Sequence, residues 1–582
     1  MRRTLAAASA ASLVIAAVAA ARSSSPVPGG AVELATDASV LIVGADGADA
    51  AGTSVARAGD VNADGSMDFI VGSPAAGDLS AGRADVIFGP LRSPQIDLAD
   101  LGQGGFAIMG ADADDHAGFS VSAAGDVNHD GFGDVLVGAP SASPSGRDAA
   151  GTAYVVFGKD STDQVSLAAL GRRGFSIVGA KEDDYLGFSV ASAGDADRDG
   201  LADLLVGAPA LGRHQGYAAL VHGRSATAPI DLARPRFGGV RIEGSNKPVQ
   251  VDGAIVYDET GASLGRAGDV NGDGRGDLVI GSPGPGDGIV TGNAYVLFMP
   301  IARTTRLGAL GAKGFRIQGA QGFDYAGESV AAAGDLNGDG FDDIITGGTG
   351  AHAVGFEAGA AYVVFGKRTS AFVDLEKIAG KGFRMDGAEA GEYAGWAVAG
   401  VGNAGGDRYS DVFIGAPGAR GDSGSAYVIL GRKQPRSLNL RDLGSAGFRL
   451  QGLAESDSAG ASVANVGDLN GDRQPDLAVG APSVDFDGRQ DAGAAYIVFV
   501  PRQAPPLRPP PPAVRCVVPD LAGKTLAQAK ALIKAHACGV GRVSAARSVR
   551  VKAGVVIKQQ PRAGASKRKG ARISLLVSRG RR

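Results

Sequence analysis

The sequence predicts an all-β fold, a seven-bladed β-propeller, followed by a small C-terminal α+β domain. An acidic loop with the pattern D-x-[DN]-x-D-G-x-x-D returns seven times, at intervals of about 65 to 75 residues. A fixed period of this length indicates an array of units, since one unit alone cannot bury its own apolar face. The seven copies begin at Asp60, Asp126, Asp195, Asp269, Asp335, Asn403 and Asp468.

One period, from 315 to 383, contains four short runs that are apolar or alternate with polar residues. Gly, Pro or Asp bounds each run, which favours antiparallel strands joined by tight turns. The runs cover 315–319, 329–333, 343–347 and 360–366. Four strands in each of seven units predict the propeller.

The two ends of the array complement each other. A lone strand-like run at 40–44 is of the same type as 315–319, and the seventh unit ends at 494–499, on the run that normally precedes this type. We therefore expect 40–43 to complete the last blade, which leaves no open sheet edge. A linear solenoid would not need a strand that is missing from the last unit and present before the first one.

The acidic loops predict calcium sites. Side-chain oxygens at loop positions one, three, five and nine, with the carbonyl at position seven, give a shell of oxygen ligands that favours Ca²⁺. Five loops carry the full set, and Asp197 makes the third the most anionic. Their ligands are Asp60, Asn62, Asp64, Ser66, Asp68; Asp126, Asn128, Asp130, Phe132, Asp134; Asp195, Asp197, Asp199, Leu201, Asp203; Asp269, Asn271, Asp273, Arg275, Asp277; and Asp335, Asn337, Asp339, Phe341, Asp343.

Two loops depart from the pattern. The last carries Arg473 where the five full loops have glycine, so we expect a weakened site there. The loop at Asn403 has lost oxygen donors, and we expect it to be weak or empty. The last loop keeps Asp468, Asn470, Asp472, Gln474 and Asp476, and the Asn403 loop has Gly405, Asp407, Arg408 and Asp411. The alternative to metal is a set of Asx-turn hairpins with solvated carboxylates.

The loops on the opposite face are candidates for ligand binding. Related positions there carry His116, Tyr185, Tyr325 and Tyr393, which either hold a glycan or protein partner or pack into the centre of the propeller. Acids stand beside them at Asp114, Asp115, Asp183, Asp184, Asp324 and Glu392. The largest insertion on this face is 244–263, in a place where loops often carry specificity.

No catalytic constellation is visible. The six histidines are scattered, without the spacing of a metalloprotease or of a nucleophile elbow. The Arg-Gly-Asp tripeptide at 420–422 is expected to be a chance occurrence in a chain so rich in Gly and Asp. We therefore expect a binding protein and not an enzyme; a secreted hydrolase that uses acids on the non-calcium face, acting on polysaccharide, is the alternative.

The N-terminus predicts export. Arg2 and Arg3 precede an apolar run and then small residues suited to cleavage, which is the pattern of a signal peptide over 1–21. The run is short and alanine-rich for a bilayer core of about 30 Å, and no other segment approaches membrane-spanning length. In an exported chain Cys516 and Cys538 favour a disulfide that closes a small domain, with two buried thiols as the alternative.

The charge is distributed unevenly. From Pro501 onward the chain holds 19 of its 57 basic residues and one of its 61 acidic ones, which leaves 38 basic and 60 acidic residues before it. A body with a net charge of −22 thus precedes a tail of +18. The tail lacks aromatic residues for base stacking, so nucleic acid is not the expected partner.

The repeats resemble a known family. Segments such as GFSVSAAGDVNHDGFGDVLVGAP at 118–140, in which the acidic loop and a Gly-Ala-Pro turn recur together, are similar to the FG-GAP repeats of integrin α-subunits. The resemblance covers 39–500 and implies a calcium-binding propeller with a role in adhesion. The fifth unit departs, with Gly347, Gly348 and Thr349 in place of Gly-Ala-Pro.

The tail resembles a second family. After a Pro-rich spacer at 501–513, the segment 514–580 is similar to a single PASTA domain through Val518-Pro519-Asp520-Leu521, Gln560-Pro561 and the Val577-Ser578 end. Thr525 and Gln528 predict a capping box, and Leu526, Ala529, Leu532 and Ile533 form one apolar stripe. The resemblance implies contact with peptidoglycan or an anionic wall polymer, and hence a secreted or wall-associated protein.

Overall fold

The computed structural model describes residues 30–245, 248–251, 254–284, 290–352, 355–452, 454–500, 515–568 and 570–581. The predicted signal peptide at 1–21 and the spacer at 501–513 lie outside the described residues. The chain divides into two compact units, Met1–Arg502 and Gln503–Arg582. In the described parts no helix is both long and apolar enough to cross a bilayer.

The described residues of the first unit form seven five-stranded sheets, which we number as blades in the order of their acidic loops. Each blade is given from its innermost to its outermost strand. Blade 1 contains Ser54–Gly59, Asp68–Ser73, Arg83–Ile87, Gly105–Met109 and Val165–Ser166; blade 2 contains Ser120–Gly125, Asp134–Ala139, Thr152–Val156, Gly174–Val178 and Ile230–Asp231; blade 3 contains Ser189–Gly194, Asp203–Ala208, Tyr217–Val221, Gly239–Glu243 and Thr304–Arg306. Blade 4 contains Leu264–Gly268, Asp277–Ser282, Asn293–Leu297, Gly314–Gln318 and Val373–Asp374; blade 5 contains Val330–Gly334, Asp343–Gly348, Ala360–Val364, Gly382–Asp386 and Leu438–Asn439. Blade 6 contains Val398–Gly402, Asp411–Ala416, Ser425–Ile429, Gly447–Gln451 and Ala31–Glu33; blade 7 contains Ser462–Gly467, Asp476–Ala481, Ala494–Val498, Val40–Val43 and Gln95–Asp97.

The seven-bladed all-β architecture is confirmed, but the prediction of four strands per blade was incomplete. Four strands are antiparallel, and a short fifth strand pairs in parallel with the outermost of them, as where Val165 lies opposite Ile108. In six blades this fifth strand comes from the connection between the third and fourth strands of the following blade, and in blade 6 it is Ala31–Glu33 of the N-terminal segment. The fifth strand is two or three residues long, too short for an alternating pattern to identify it in the sequence.

The N-terminal segment closes the ring as expected. Val40–Val43 pairs antiparallel with Ala494–Val498, with Val40 opposite Ile497. The same segment also reaches blade 6, where Ala31 lies opposite Arg449 in a parallel pair. Two neighbouring blades are therefore joined to the start of the chain, and the edges that an open array would expose are covered.

The core lies between the faces of adjacent blades. The second strand of each blade is buried along its whole length, which is possible because its non-polar run faces a neighbouring blade on both sides. Between blades 1 and 2, Ile70 and Phe106 of one blade join Val135 and Tyr154 of the next in one buried cluster. The repeat length thus positions each acidic loop at the same end of a rigid sheet.

Short helices and one hairpin occupy the connections. The hairpin, Val249–Val251 with Ala254–Val256, is part of the 244–263 insertion. The one-turn α-helices are Leu34–Asp37 and Ala419–Asp422. The 3-10 turns are Asp78–Ser80, Pro144–Gly146, Leu167–Ala169, Ala210–Gly212, Leu307–Ala309, Gly311–Lys313, Leu375–Lys377 and Gly444–Ala446.

The second unit is a small α+β domain. Helix Leu526–Ala535 begins with both hydrogen bonds of the predicted capping box, and Ala529 and Ile533 of its apolar stripe are fully buried. The predicted disulfide between Cys516 and Cys538 is present, with 4.8 Å between the two Cα atoms. The strands are Arg515–Val517 paired with Ser566–Arg568, and Gly539–Ala546, Arg572–Ser578 and Val556–Gln560 in a three-stranded sheet.

Candidate metal centres

Each acidic loop connects the innermost strand of a blade to the second strand. In the first loop Asp60 accepts hydrogen bonds from the backbone N–H groups of Asp64 (3.0 Å) and Gly65 (2.9 Å). Asn62 Oδ1 accepts from Asp64 N at 3.0 Å, and Asp64 Oδ1 accepts from Ser66 N at 2.7 Å. Asx-type bonds of this kind fold the loop around its own carboxylates. They leave lone pairs free, because a carboxylate offers about four acceptor sites.

The same geometry recurs in the other loops that keep aspartate at positions one and five. The bond from the position-five N–H to the position-one carboxylate measures 3.1 Å in blade 2, 3.0 Å in blade 3, 2.9 Å in blade 4, 3.0 Å in blade 5 and 3.0 Å in blade 7. The structure therefore brings residues one, three and five of each loop together as the spacing predicts.

The position-nine aspartate is buried at the start of the second strand. Asp68 accepts from Val61 N at 2.7 Å and from Gly89 N at 2.9 Å. Burial, together with the neighbouring loop carboxylates, raises the pKa of Asp68 to about 6, of Asp134 to about 7 and of Asp343 to about 8. In these loops the buried carboxyl group lacks a compensating charge when it is ionised, which is the environment that a bound cation would stabilise.

Blade 3 differs from the others because a histidine contacts its loop. His222 Nδ1 lies 3.1 Å from Asp197 Oδ2 and 3.5 Å from Asp203 Oδ1. Burial alone would raise the pKa of Asp203, but His222 and the backbone N–H groups of Gly223 and Ala196 lower it below its usual value. Ligand atoms of Asp197, Asp203 and His222 lie within 4.8 Å of one another, as do those of Asp195, Asp197 and Asp199.

His222 was not predicted as a ligand from the sequence, in which it is one of six scattered histidines. A superposition of the repeats would have found it. The residue just before the one whose N–H binds the position-nine aspartate is aromatic or leucine in the other six blades, at Phe88, Phe157, Phe298, Phe365, Leu430 and Phe499.

The loop at Asn403 satisfies its own polar groups. Asn403 Nδ2 donates to the carbonyl of Asp407 at 2.6 Å, and Gly405 N donates to Asp411 Oδ2 at 2.6 Å. An amide N–H group points into the loop where the other loops hold a carboxylate oxygen. This geometry is consistent with the weak or empty site expected from the sequence.

The blade 7 loop carries backbone strain at Arg473. Its φ is +70°, in the left-handed region, where Gly65 of the first loop has φ +85°. A side chain in this region costs about 1 kcal/mol or more, because its Cβ crowds the following carbonyl.

We predict that Arg473→Gly is more stable than the parent chain by about 1 kcal/mol in the free energy of unfolding. Urea denaturation in the presence of Ca²⁺ measures the difference. The matched control, Arg473→Ala, removes the guanidinium group but keeps a Cβ in the left-handed region, so it should not gain stability. A glycine variant no more stable than the alanine variant would contradict the argument.

On the opposite face, the acids beside the tyrosines have a structural role that the sequence analysis did not assign. Asp184 is fully buried, accepts from Ala180 N and Lys181 N at 2.8 Å each, and receives a hydrogen bond from Tyr217 Oη at 2.9 Å. Asp324 is bound in the same way, with Tyr362 Oη at 3.1 Å. The buried members are therefore not free to face a ligand, because they stabilise turns of the repeat. The buried acids of the predicted set are Asp115, Asp184, Asp324 and Glu392.

The aromatic residues of this face are not core residues. Tyr325 is 38% exposed, and Trp396, which the sequence analysis did not single out, is 46% exposed. The rings of Tyr393 and Trp396 meet edge to face at 6.5 Å, and Tyr393 Oη donates to Glu357 Oε2 at 2.6 Å. Packing into a buried centre is therefore wrong for Tyr325, whereas His116, Tyr185 and Tyr393 are half-buried. Tyr325, Glu357, Tyr393 and Trp396, which we call the aromatic patch, lie on the loops of blades 5 and 6 at the end opposite the acidic loops.

Two family models match the chain. The model described as FG-GAP repeat matches 117–156, 186–221, 260–297, 326–364 and 459–498. The model described as PASTA domain matches 517–579. The FG-GAP matches fall within five of the seven blades, and the PASTA match falls within the second compact unit.

Curated relatives match over part of the propeller. The chain is 32% identical over 206 residues to integrin alpha pat-2 of Caenorhabditis briggsae, which covers 34% of this chain and 16% of the relative. It is 32% identical over 211 residues to phosphatidylinositol-glycan-specific phospholipase D of Bos taurus, covering 35% and 23%. It is 31% identical over 237 residues to integrin alpha-5 of Xenopus laevis, covering 37% and 21%. The chain thus spans less than a quarter of the length of each of these relatives. It combines five FG-GAP repeats, similar to segments of integrin α proteins, with a PASTA domain.

Proposed function

We propose that the chain is a secreted or cell-wall-associated binding protein, with a propeller stabilised by calcium and a PASTA domain that attaches it to peptidoglycan. The observation that carries the proposal is the repetition of one acidic loop geometry at the same end of successive blades. All seven loops keep the bond from the position-five N–H to the position-one side chain within 2.9 to 3.1 Å, and the acceptor is a carboxylate in six of them. Calcium in these loops would hold the strand ends, so its role is structural.

The donor set supports Ca²⁺ in five loops strongly and in the blade 7 loop more weakly. Each site would use carboxylate or amide oxygens at positions one, three, five and nine and one carbonyl oxygen. All of these donors are hard oxygen ligands in an irregular arrangement, which Ca²⁺ accepts more readily than Mg²⁺ or Zn²⁺. The buried position-nine carboxyl, with the pKa of Asp277 raised to about 7 by burial and by its neighbours, supports a cation at this place.

The aromatic patch is the proposed binding surface for a glycan or protein. Exposed aromatic rings beside a carboxylate provide both apolar contact area and hydrogen-bond acceptors. Trp396 and Tyr325 are exposed on loops that rigid blades hold in place. Phe356, next to the patch, is 71% exposed. Loops on a fixed framework of this kind are where ligand recognition is usually found.

The PASTA domain is the proposed wall anchor. Its sheet strand Gly539–Ala546 is largely exposed, and the tail carries 19 basic residues against one acid. A surface with this net charge attracts anionic wall polymers over a distance set by the ionic strength. Secretion is consistent with the N-terminal segment and with the disulfide of this domain.

A secreted hydrolase is the second candidate, and one pair of carboxyl groups favours it. Burial, then the nearby charges of Glu328 and Asp258, raise the pKa of Glu259 to about 7, and burial raises the pKa of Glu328. Both residues belong to loops of the non-calcium face. A half-buried acid with a raised pKa beside a second acid is the arrangement that general acid catalysis uses. One matching relative carries the name of a phospholipase D, although the match covers 23% of that protein.

Binding and turnover assays of the full chain separate the two functions. We expect the protein, in Ca²⁺, to bind a glycan on an array or a wall fragment without cleaving it. Trp396→Ala should weaken that binding about tenfold or more, which corresponds to about 1.4 kcal/mol. Phe372→Ala is the matched control, because Phe372 is 45% exposed but belongs to the connection between the third and fourth strands of blade 5. Equal binding by both variants would contradict the assigned surface. Turnover of polysaccharide that Glu259→Gln abolishes would favour the hydrolase.

A further inference from the structure

We propose that the acidic loop of blade 3 is a mixed nitrogen–oxygen metal site, in which His222 joins Asp197 and Asp203 to bind a divalent transition-metal ion of the Zn²⁺ type. The three side chains converge on one point from the loop and from the end of the third strand of the same blade. Where both ions are present, the site would take this ion in preference to Ca²⁺; in Ca²⁺ alone it fills like the other loops with a full donor set. The assignment does not depend on calcium in the other loops, because its distinguishing residues occur in blade 3.

Two residues change together in this blade. Position three is aspartate at 197, whereas the other loops with a full donor set and the blade 7 loop have asparagine there, at Asn62, Asn128, Asn271, Asn337 and Asn470. The histidine stands where five other blades have phenylalanine. The changes add one negative charge and one imidazole nitrogen at the same place, which makes the donor set softer and more anionic than that of any other loop.

The histidine also replaces a packing contact of the repeat. In blade 1 the ring of Phe88 meets Phe106 edge to face at 6.0 Å, and in blade 4 Phe298 meets Phe315 at 5.9 Å. In blade 3 the residue at the place of Phe106 and Phe315 is Val240, so this aromatic pair is absent. The side chain of His222 instead points to the carboxylates, which indicates that its role differs from packing.

The geometry of the imidazole fits a metal ligand. His222 Nδ1 is buried and faces two carboxylates, at 3.1 Å from Asp197 Oδ2 and 3.5 Å from Asp203 Oδ1. A shared cation is favoured where two carboxylates and one ring nitrogen face each other in this way. Histidine nitrogen with aspartate oxygen is a ligand combination of Zn²⁺ and related ions, whereas Ca²⁺ takes oxygen ligands.

Backbone groups hold the buried ligand in position. Asp203 is fully buried, and its two oxygens accept from Ala196 N and Gly223 N at 2.9 Å each. Such outer hydrogen bonds orient a carboxylate for a metal. The side chain of His222 is 31% exposed, so an ion can reach the ring from solvent.

The test is a titration of the full chain with Zn²⁺ in saturating Ca²⁺, followed by calorimetry. We expect one Zn²⁺ to bind per chain, and His222→Phe, which installs the residue of the other blades, to weaken it at least tenfold. Asp197→Asn should also weaken Zn²⁺ binding. His536→Phe, a variant of an exposed histidine in the second unit, is the matched control and should bind as the parent does.

A spectroscopic measurement distinguishes direct ligation from a structural effect. With Cu²⁺ in place of Zn²⁺, electron paramagnetic resonance should show nitrogen hyperfine structure that His222→Phe removes. The proposal is overturned if the parent chain binds no Zn²⁺ in excess Ca²⁺, since a protonated His222 would then close the loop by itself. Unchanged Zn²⁺ binding in a folded His222→Phe variant also overturns it. A Ca²⁺ titration of the same samples reports separately on the other loops.

Discussion

Removal of Ca²⁺ with EGTA is expected to lower the stability of the propeller by about 7 kcal/mol. Extracellular calcium modules bind at about 10⁻⁴ to 10⁻³ M. At a tenfold excess of free Ca²⁺ over the dissociation constant, each filled site contributes about 1.4 kcal/mol. Five loops with the full donor set then give about 7 kcal/mol, an amount comparable to the whole stability of a typical domain, which is about 5–15 kcal/mol.

The melting temperature is the measurement. With an unfolding entropy of about 2.1 cal/mol/K per residue over the segment 39–500, a loss of this size corresponds to a decrease of about 7 °C. Asp64→Asn, which weakens one site, should reduce the difference between Ca²⁺ and EGTA by about a fifth, the share of one site in five equal ones. Asp407→Asn is the matched control, because its loop already lacks donors. Identical transitions in Ca²⁺ and EGTA would contradict the proposed calcium role.

The architecture was predictable where it depends on repetition. The seven loops and the strands beside them follow from spacing, and the pairing of Val40–Val43 with Ala494–Val498 follows from a deficit at each end of the chain. The fifth strands were not predictable, since a pair such as Val165 and Ser166 carries no periodic pattern. Such a strand exists because an exposed blade edge offers unpaired backbone groups to any connection that passes it.

The candidate sites show the same division. The convergence of Asp60, Asn62 and Asp64 follows from local sequence, because a tight loop of nine residues leaves few conformations. The role of Asp184 does not follow from local sequence. An acid near a tyrosine gives the same sequence pattern whether it faces solvent or caps a turn. The hydrogen bond from Tyr217, 33 positions away, decides between the two. The role of His222 was likewise not predictable, because it contacts the acidic loop of blade 3 only in the folded blade.

Loss of the C-terminal unit is expected to abolish retention on purified peptidoglycan. The parent chain should sediment with the wall material, and a chain truncated at Pro501 should remain in solution, with at least a tenfold lower bound fraction. The reason is that the basic residues are concentrated in the tail, whereas the body before it has 38 basic and 60 acidic residues and is repelled by anionic polymers. A melting curve in Ca²⁺ verifies that the truncated propeller is folded.

The salt dependence of retention distinguishes specific contacts with peptidoglycan from non-specific electrostatic attraction. At 1 M NaCl the Debye length falls to about 3 Å, so an interaction that depends on net charge alone should disappear. Retention of the parent chain at this salt concentration would indicate that the PASTA domain makes specific contacts with peptidoglycan. Loss of retention at 1 M NaCl would indicate that net charge alone holds the chain on the wall material. Equal retention of the parent and truncated chains at low salt would exclude the domain as the anchor, and the wall contact would then have to come from the propeller.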